Sequence, residues 1–199
     1  MLTENRNYTV FNHHYVFIYT YIYNLMEHCK LIIIAAVSVD GVIGIDDKMP
    51  WRIPEDFKHF RETTMGNMLL VGYTTYKTLP EKAFEGREYI VLNGSHPIEP
   101  RAESYQFRHL DTILNTLNSP NNDVDKIFVA GGAMVYDTLI DYCDECIITW
   151  VNNLYPEGNK RFPIDKLFAN FAVYHENGWQ NSKNNYLYKI TYYRKNNLR

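Results

Sequence analysis

Continuous apolar runs, separated by short polar segments, follow one another from residue 30 onward. Residues 31–37 (LIIIAAV) and 68–72 (MLLVG) contain no polar side chain, which is typical of strands buried on both faces of a sheet. Similar runs predict strands over residues 88–92, 126–130 and 145–150, and a weaker strand near 105–107. Most of these strands are expected to be parallel.

The predicted helices lie between these strands. Pro54 opens the first helix, because proline at the first helical position loses no hydrogen bond. Glu55 and Asp56 fall in its first turn, where the helix dipole favours carboxylates, and the helix is expected to end near Gly66. Further helices are predicted over about 74–79, over 110–117, and from the glycine pair at 131–132 to about 140.

The C-terminal segment has a different pattern. Residues 171–176 and 186–194 predict a long hairpin, because alternate positions of the second segment share one face. Strands that alternate with helices predict a three-layer α/β fold. Its central sheet is expected to be mainly parallel, with helices on both faces and the antiparallel hairpin at one edge. Residues 30–199 contain no repeat or linker and are expected to form one domain.

The composition mainly excludes classes of partner. The chain has 199 residues, of which 46% are hydrophobic, enough for one domain with a buried core. Its formal net charge of -3 arises from 20 basic and 23 acidic residues. Nucleic-acid-binding domains usually carry a strong basic excess, so no nucleic acid is expected as a partner. Small molecules are the expected ligands.

The cysteines indicate a reducing compartment. Three cysteines are an odd number and too few for a disulfide framework, so a cytoplasmic protein is expected. Cys143 and Cys146 have the C-x-x-C spacing of a redox pair or of half a zinc site. Tetrahedral zinc needs two further ligands, and no second pair with suitable spacing follows, so no metal is expected. The simpler interpretation is two incidental thiols where a helix is followed by a strand.

Residues 1–29 form an aromatic-rich extension of unknown role. The run 15–25 (YVFIYTYIYNL) is shorter than the roughly 20 residues that span a bilayer, so no membrane association is expected. It also lacks the positively charged N-terminal region and the small-residue cleavage site of a signal peptide. Two interpretations stay open. The segment is either an appendage outside the catalytic fold, flexible or partner-binding, or the product of an upstream start codon, with translation beginning at Met26.

The helix that begins at Pro54 carries the first candidate site. Asp56 and Phe60 are four residues apart and share one helix face, with Phe57 beside them. A carboxylate between two aromatic rings, at the carboxyl end of a parallel sheet, can hold a flat, amidine-like nitrogen heterocycle. The same spacing suits an acid that only stabilises the helix N-terminus, with both phenylalanines in the core.

Two strand-to-helix turns carry the second candidate site. Gly72 is followed by Thr74 and Thr75, and free N–H groups at a helix start can bind a pyrophosphate. Gly131 and Gly132 permit the close approach of phosphate groups. Each turn alone is equally well explained as an ordinary cap or loop, because neither contains the G-x-G-x-x-G fingerprint.

Several short motifs follow one another along the chain. They are Ala35-Ala36, Asp40-Gly41-Val42-Ile43-Gly44, Met49-Pro50-Trp51, Pro54-Glu55-Asp56-Phe57, Phe60, Gly72, Thr75, Gly86-Arg87, Gly131-Gly132, Val135-Tyr136, Thr149 and Phe162-Pro163. This order resembles that of dihydrofolate reductases over about residues 30–194. Trp51, five residues before Asp56, is the most specific local feature of the resemblance.

The resemblance implies roles for residues of a pterin pocket. Asp56 would hydrogen-bond N3 and the 2-amino group of the pterin, and Thr149 and Trp51 would support it through hydroxyl and water contacts. Arg87 would clamp the glutamate α-carboxylate of the substrate with its guanidinium fork, the alternative being a solvated surface cation. The residues implied to line the pterin and aminobenzoyl pocket are Ile34, Ala36, Phe57, Phe60 and Leu79.

The resemblance also implies the cofactor and the reaction. Ile43, Met49 and Tyr136 would border the nicotinamide of NADPH, and the loop around Met49 would act as a lid. The expected activity is the reduction of 7,8-dihydrofolate to tetrahydrofolate in one-carbon and thymidylate metabolism, by a monomer that also binds antifolate inhibitors. The residues implied to be catalytic are Asp56, Trp51, Thr149 and Met49. The positions implied to contact the cofactor are Ala36, Ile43, Gly72, Thr74, Thr75, Ala130, Gly131, Gly132, Ala133 and Tyr136.

Three positions depart from the pattern of the family. Tyr73 stands where many relatives carry a basic residue that grips the adenosine 2′-phosphate, and Met134 stands where a basic residue is also frequent. The use of NADH is therefore not excluded. Asn159 replaces an acidic residue that often stabilises the closed lid. The remaining candidates for holding the 2′-phosphate are Thr74, Lys77, Ser95 and His96.

Two other functions stay open from the sequence. One is a reductase of the same fold that acts on a pyrimidine intermediate of riboflavin synthesis, although Arg87 and the segment from Trp51 to Asp56 argue against it. The other is a catalytically idle protein that keeps the fold while its extension binds a partner. No matched pterin-contacting position is lost, which favours an enzyme.

Overall fold

The computed structural model describes residues 29–46, 48–93, 104–107 and 125–196, with backbone alone at 104–107. The helix predicted over 110–117 and the extension before Cys29 lie outside the described residues. Within the described part, no helix has the length and apolarity needed to cross a membrane.

A large twisted sheet forms the centre of the molecule. Its described strands are β1 (Lys30–Ser38), β3 (Met68–Gly72), β4 (Glu88–Leu92), β5 (Ser104–Phe107), β6 (Lys126–Val129), β7 (Glu145–Val151), β9 (Phe171–Glu176), β10 (Gln180–Asn181) and β11 (Leu187–Lys195). Their order is β10, β11, β7, β1, β6, β3, β4 and β5, and β9 also pairs with β11. The strands from β7 to β5 run parallel to their neighbours, whereas β11 is antiparallel to β7. The predicted parallel sheet with an antiparallel edge is confirmed.

Alternate residues of β1 supply two hydrophobic cores on opposite faces of the sheet, as expected for a strand buried on both sides. Ile33, Ala35 and Val37 join the core that packs helices α3 (Ala133–Leu139) and α4 (Ile164–Asn170). Ile32 and Ile34 join the core on the side of α1 (Pro54–Thr64) and α2 (Tyr73–Thr78). The predicted three layers are therefore present.

Several short elements escaped the sequence prediction. The loop expected around Gly41 contains β2 (Val42–Gly44), which pairs with β8 (Lys160–Arg161). Elements of two or three residues are shorter than any window in which periodicity can be recognised, and seven-residue α4 has the same disadvantage. The predicted C-terminal hairpin is confirmed as antiparallel β9 and β11, with β10 in the intervening segment.

The C-x-x-C thiols lie at the junction between a short 3₁₀ helix (Ile140–Tyr142) and β7, as expected. Both Cys143 and Cys146 are free and fully buried. Burial raises the pKa of each thiol well above its ordinary value. A buried thiol that stays protonated is a poor nucleophile, so this pair has a packing role.

Candidate active site

Asp56 is fixed by the start of α1. Ile53 caps the helix with an extended backbone and no side-chain hydrogen bond, and Pro54 occupies the first helical position. Asp56 is only partly exposed, and its carboxylate accepts a hydrogen bond from the Thr149 hydroxyl on β7. A residue that acted on the helix dipole alone would not need this partner from a distant strand.

The surroundings of Asp56 change its acidity. Burial raises the pKa of its carboxyl from 3.8 to about 6, and the Thr149 hydroxyl opposes this rise by stabilising the ionised form. At neutral pH the group is therefore mostly ionised yet poorly solvated. A carboxylate in this state favours a ligand that offers charged or strongly polar N–H donors.

Trp51 presents a buried donor to the same region. Its side chain is 4% exposed, and its ring packs at 5.4 Å from the ring of Tyr155. The indole Nε1–H has no hydrogen-bond partner among the residues that the structure describes. Buried N–H groups are nearly always paired, so this donor is expected to bind a ligand or a water molecule.

Most of the predicted pocket residues meet in one apolar cluster. Trp51 and Ile34 are buried in it, and Ala36, Phe60 and Leu79 pack against it half-exposed. The register of the sheet explains part of this arrangement, because Ala36 pairs directly with Thr149, the partner of Asp56.

Phe57 and Met49 differ from these residues. They are 44% and 42% exposed. Phe57 directly follows Asp56 in the chain and Met49 lies two residues before Trp51, so each presents an apolar side chain close in sequence to a site residue.

Arg87 is buried and hydrogen-bonded within the protein. The residue is 6% exposed, and its Nε donates to Thr64 Oγ1 at 2.9 Å. Its two terminal nitrogens donate to the carbonyl oxygens of Arg61, Ala83 and Glu85 at 3.0–3.1 Å. Four of its five N–H donors are thus engaged by the protein, and the surface-cation alternative does not hold. The guanidinium also lies 5.9 Å from the ring of Phe60, at the edge of the pocket cluster.

The two glycine turns converge at the carboxyl edge of the sheet. The Gly72 N–H donates to the Gly131 carbonyl at 2.7 Å, which ties the end of β3 to the turn after β6. Gly131 has φ +96°, and a Cβ there would lie 2.9 Å from the ring of Tyr136. A Cβ on Gly132 would lie 3.1 Å from Thr75 Oγ1. A side chain at either position would therefore clash with the protein, so this close packing of the two turns requires glycine.

The first turns of two helices complete this edge. Thr74 and Thr75 lie in the first turn of α2, exposed and half-exposed respectively, and the helix has no side-chain cap. Ala130 and Ala133 flank the glycine pair on the other turn and are half-exposed. The predicted cofactor positions are thus neighbours in space.

Tyr136 connects the cofactor edge with the Asp56 region. Its hydroxyl donates to the carbonyl of Ile34 on β1 at 2.8 Å, and Ile43 packs in the same core. Burial, followed by the nearby charge of Asp56, raises the pKa of this phenol. The two candidate sites identified in the sequence are therefore adjacent parts of one site.

The loop after β2 is held by a bridge that the sequence did not predict. The Asp46 backbone N–H donates to Asn159 Oδ1, and Asn159 Nδ2 donates to Asp46 Oδ1, each at 2.8 Å. These residues are 113 positions apart, so no local pattern could have paired them. The amide of Asn159 uses both its acceptor and its donor here.

Asp40 holds another loop near the site, a role that the sequence did not predict. Its carboxylate accepts hydrogen bonds from the Ser38 hydroxyl and from the Tyr155 backbone N–H. Burial works against ionisation of this carboxyl, but these hydrogen bonds and the nearby Arg161 lower its pKa overall. The ionised side chain fixes the loop that leads from β1 to β2.

Comparisons with known proteins agree with this geometry. The family profile described as dihydrofolate reductase matches residues 30–195. The dihydrofolate reductase of Mycoplasma genitalium is 29% identical over 175 residues, which cover 83% of this chain and 98% of that protein. The enzyme of the same name from Mycoplasma pneumoniae is 31% identical over 156 residues, covering 78% and 95%.

A solved structure gives the same result. A dihydrofolate reductase from Enterococcus faecalis, complexed with NADP(H) and RAB-propyl, superposes with a TM-score of 0.70 at 26% identity. The match covers 84% of this chain and 97% of that one. With its sheet order, its acidic helix start and its paired glycine turns, the chain belongs to the dihydrofolate reductase family.

Proposed function

We propose that the protein reduces 7,8-dihydrofolate to 5,6,7,8-tetrahydrofolate with NADPH, in one-carbon and thymidylate metabolism. The observation that carries this proposal is the ionised, poorly solvated carboxylate of Asp56, bonded to Thr149. The buried N–H of Trp51, five residues earlier, has no partner among the described residues and adds a second polar group. A pterin offers N–H donors on the ring edge that Asp56 would face. Its flat ring suits the cluster of Ile34 and Phe60.

The residues of the cofactor edge fit NADPH. Gly131 and Gly132 form a turn in which a Cβ would clash with Tyr136 and Thr75, and their bare backbone would admit the close approach of the pyrophosphate, with Thr74 and Thr75 beside it. Ile43, Met49 and Tyr136 would border the nicotinamide, and Ala36, Ala130 and Ala133 would also contact the cofactor. When bound, NADPH supplies the hydride that reaches C6 of dihydrofolate, while N5 takes a proton.

The chain's own groups orient the substrate and exclude water. Asp56 would bind N3 and the 2-amino group, so it lies at a different ring edge from N5 and would not protonate it directly. The proton would arrive through water, and Asp56 would set the position and the electron distribution of the ring. Met49, exposed next to Trp51, would belong to a lid that closes over the pair of reactants.

Arg87 would recognise the glutamate tail of the substrate. Its bonds to Thr64 and to three carbonyl groups hold the guanidinium rigid, and one N–H donor is left over. A carboxylate would bind this donor and share neighbouring ones. The rigid mounting would lower the entropy lost when the tail binds.

The proposal also covers the compartment, the oligomeric state, the domain organisation and the inhibitors of the protein. A cytoplasmic monomer is proposed, in which residues 30–199 form one catalytic domain and residues 1–29 lie outside it. The free thiols Cys29, Cys143 and Cys146 support a reducing compartment. Antifolate inhibitors that present an amidine-like ring edge would compete for Asp56.

A spectrophotometric assay tests the proposal. We expect the absorbance of NADPH to fall when dihydrofolate is added, both for the full chain and for a protein that starts at Met26. The same assay with NADH measures cofactor preference. If neither protein oxidises NADPH or NADH in the presence of dihydrofolate, the proposed activity is wrong and an idle binding protein is favoured.

A further inference from the structure

Strand β9 forms an open edge of the central sheet. One of its edges pairs with β11, and no described strand pairs with the other. Every residue of β9 after Phe171 is exposed, among them Val173 at 52% and Tyr174 at 46%. Free N–H and C=O groups along a strand edge pair readily with another strand, and native proteins usually cover or block such edges. β9 contains neither proline nor lysine, so its sequence does not block the edge.

The run 15–25 of the N-terminal extension has the sequence pattern of a strand. Its odd positions from Tyr15 to Tyr23 are all aromatic, and its even positions from Val16 to Ile22 are all β-branched. Strict alternation and this composition both favour a strand. The run contains no charged residue, glycine or proline, and a segment of this kind pairs with other strands when nothing covers it.

The chain enters β1 close to β9. The Lys30 Nζ lies 3.6 Å from Glu145 Oε1, and the Tyr174 hydroxyl donates to Glu145 Oε2 at 3.1 Å. The first residue of β1 and a residue of β9 thus share one carboxylate. The Arg194 guanidinium on β11 lies 4.5 Å from the Tyr174 ring and connects the two strands. The segment that precedes β1 therefore begins within reach of the open edge.

The direction of the strands determines how the run can pair. Phe171, the first residue of β9, pairs with Lys195. The Lys195 N–H donates to the Asp144 carbonyl, and the Leu31 N–H donates to the Asp144 carboxylate. Because β1 and β9 begin at the same end of the sheet, a strand that leads into β1 has to arrive there, antiparallel to β9.

The length of the connection allows this pairing. A strand added to β9 is the fourth one counted from β1, after β7, β11 and β9, which is about 19 Å away at 4.8 Å per strand. Residues 24–29 span roughly 20 Å when extended, at about 3.4 Å per residue. A parallel strand would end at the far end of β9 and would also have to return along its whole length.

We propose that residues 15–23 add an antiparallel strand to the open edge of β9 in the same molecule. The aromatic positions would lie on the side of α1, beside Tyr174 and Tyr192, whose ring centroids are 6.2 Å apart. The β-branched positions would lie on the other side, beside Val173, which pairs with Tyr193. Cross-strand pairs of aromatic and β-branched residues stabilise sheets. The pairing does not depend on the reaction that the protein catalyses.

The same molecule is favoured over a second copy as the source of the strand. A short tether holds the run at an effective concentration on the order of millimolar, so a second copy would compete only at similar protein concentrations. The extension would thus cover the edge of the catalytic domain without taking part in its active site.

Proline substitutions in the full chain test the pairing. Thr20→Pro and Tyr21→Pro each remove one N–H group from the middle of the run. Since the N–H groups of adjacent residues in a strand point to opposite edges, one of the two faces β9, and that variant should lose the pairing. Asn7→Pro is the matched control, because it places a proline in the extension outside the run.

Amide hydrogen exchange, measured residue by residue by NMR, is the readout. In the unsubstituted protein we expect protection of the β9 amides that point away from β11 as well as of those bonded to it. In one of the two proline variants, the outward-pointing amides should exchange at least roughly 10-fold faster. Asn7→Pro should match the unsubstituted protein. The amides of β3, in the middle of the sheet, should stay equally protected in all four proteins, which checks that the fold is kept.

The assignment is overturned if the outward-pointing amides of β9 are unprotected in the unsubstituted protein. It is also overturned if both proline variants exchange like Asn7→Pro. Sedimentation at two concentrations identifies the source of the strand. Protection that persists in a monomer supports pairing within one molecule, whereas protection that is lost together with a dimer on dilution would overturn it in favour of a second copy.

Discussion

The two ends of the site differ in how firmly their residues are held. At the pterin end, Asp56 is hydrogen-bonded to Thr149 on β7, and Trp51 is 4% exposed. Arg87 makes four hydrogen bonds to described residues. At the adenosine end, Tyr73 is half-buried and Met134 is 79% exposed. Residues that match the family lie at both ends, whereas two of the three departures lie at the second end.

Burial explains this difference. A polar group inside the protein must keep its partners, because an unpaired buried donor or charge costs about 1–3 kcal/mol or more. Replacement of Asp56 or Arg87 would therefore disturb several groups at once. An exposed position carries fewer such constraints, so a substitution there disturbs less of the protein.

The largest effect is expected at the pterin end. Asp56→Asn should lower turnover with dihydrofolate at neutral pH by roughly 100-fold or more, because the substituted side chain cannot hold the ring edge as an anion. The affinity for NADPH, measured by titration, should stay nearly unchanged. If both quantities fall equally, Asp56 is a residue of the fold and the two ends of the site do not differ in the way described.

The same variant is expected to be more stable at neutral pH. The pKa of Asp56 is about 6 in the folded protein and near its ordinary value of 3.8 in the unfolded chain, so the folded state binds more protons between these values. Stability from this group falls as pH rises from about 4 to 6 and stays low above. Asp56→Asn removes that loss, and we expect a gain of about 1–3 kcal/mol at pH 7.5.

Denaturant unfolding at two pH values measures this gain. The gain should be present at pH 7.5 and nearly absent at about pH 3, where the carboxyl is mostly protonated in both states. Equal stability of the two proteins at pH 7.5 would mean that the carboxylate is well solvated. The pterin end would then be no more constrained than the adenosine end.

Local features of the site could be predicted from the sequence, and distant contacts could not. The helix start at Pro54 and the strands around the glycine turns follow from nearest neighbours along the chain, and they are confirmed. The burial of Arg87 could not be foreseen, because its partners come from the end of α1 and from the segment after α2. The pattern of apolar residues in one segment does not indicate that it contacts the other.

Short elements such as β2 and β8 were missed because the pairing that defines them joins residues more than a hundred positions apart.

A smaller effect is expected for the substrate tail. Arg87→Met should raise the KM for dihydrofolate roughly 10- to 100-fold, as expected when a charge-assisted contact to a carboxylate is lost. It should also lower stability, because four hydrogen bonds disappear. A dihydropterin without the glutamate separates the two causes, since its reduction should change little.

Thr64→Val is the matched control for Arg87. It removes the partner of the guanidinium Nε but leaves the charge in place. We expect a loss of stability with a KM close to that of the unsubstituted protein. If Arg87→Met impairs the reduction of both substrates to the same extent, the arginine serves only the fold.

The smallest effect concerns the third departure, Asn159, which bridges to Asp46 in the loop after β2. Asn159→Asp restores the acidic residue of many relatives, yet here it would face the Asp46 carboxylate at the 2.8 Å now occupied by a hydrogen bond. Like charges at this distance repel each other, but both side chains are exposed. A loss of about 2- to 10-fold in kcat/KM for NADPH is therefore expected, smaller at high salt.

Adding Asp46→Asn to Asn159→Asp reverses the roles of the two side chains. The carboxylate at 159 would still accept from the backbone N–H at 46, and the new amide at 46 would donate to it. The double variant should therefore recover most of the lost activity, with a coupling of about 0.5–2 kcal/mol in the double-mutant cycle. Additive losses would mean that the bridge does not hold the lid. Recovery would show that this departure is compensated by its own partner, Asp46.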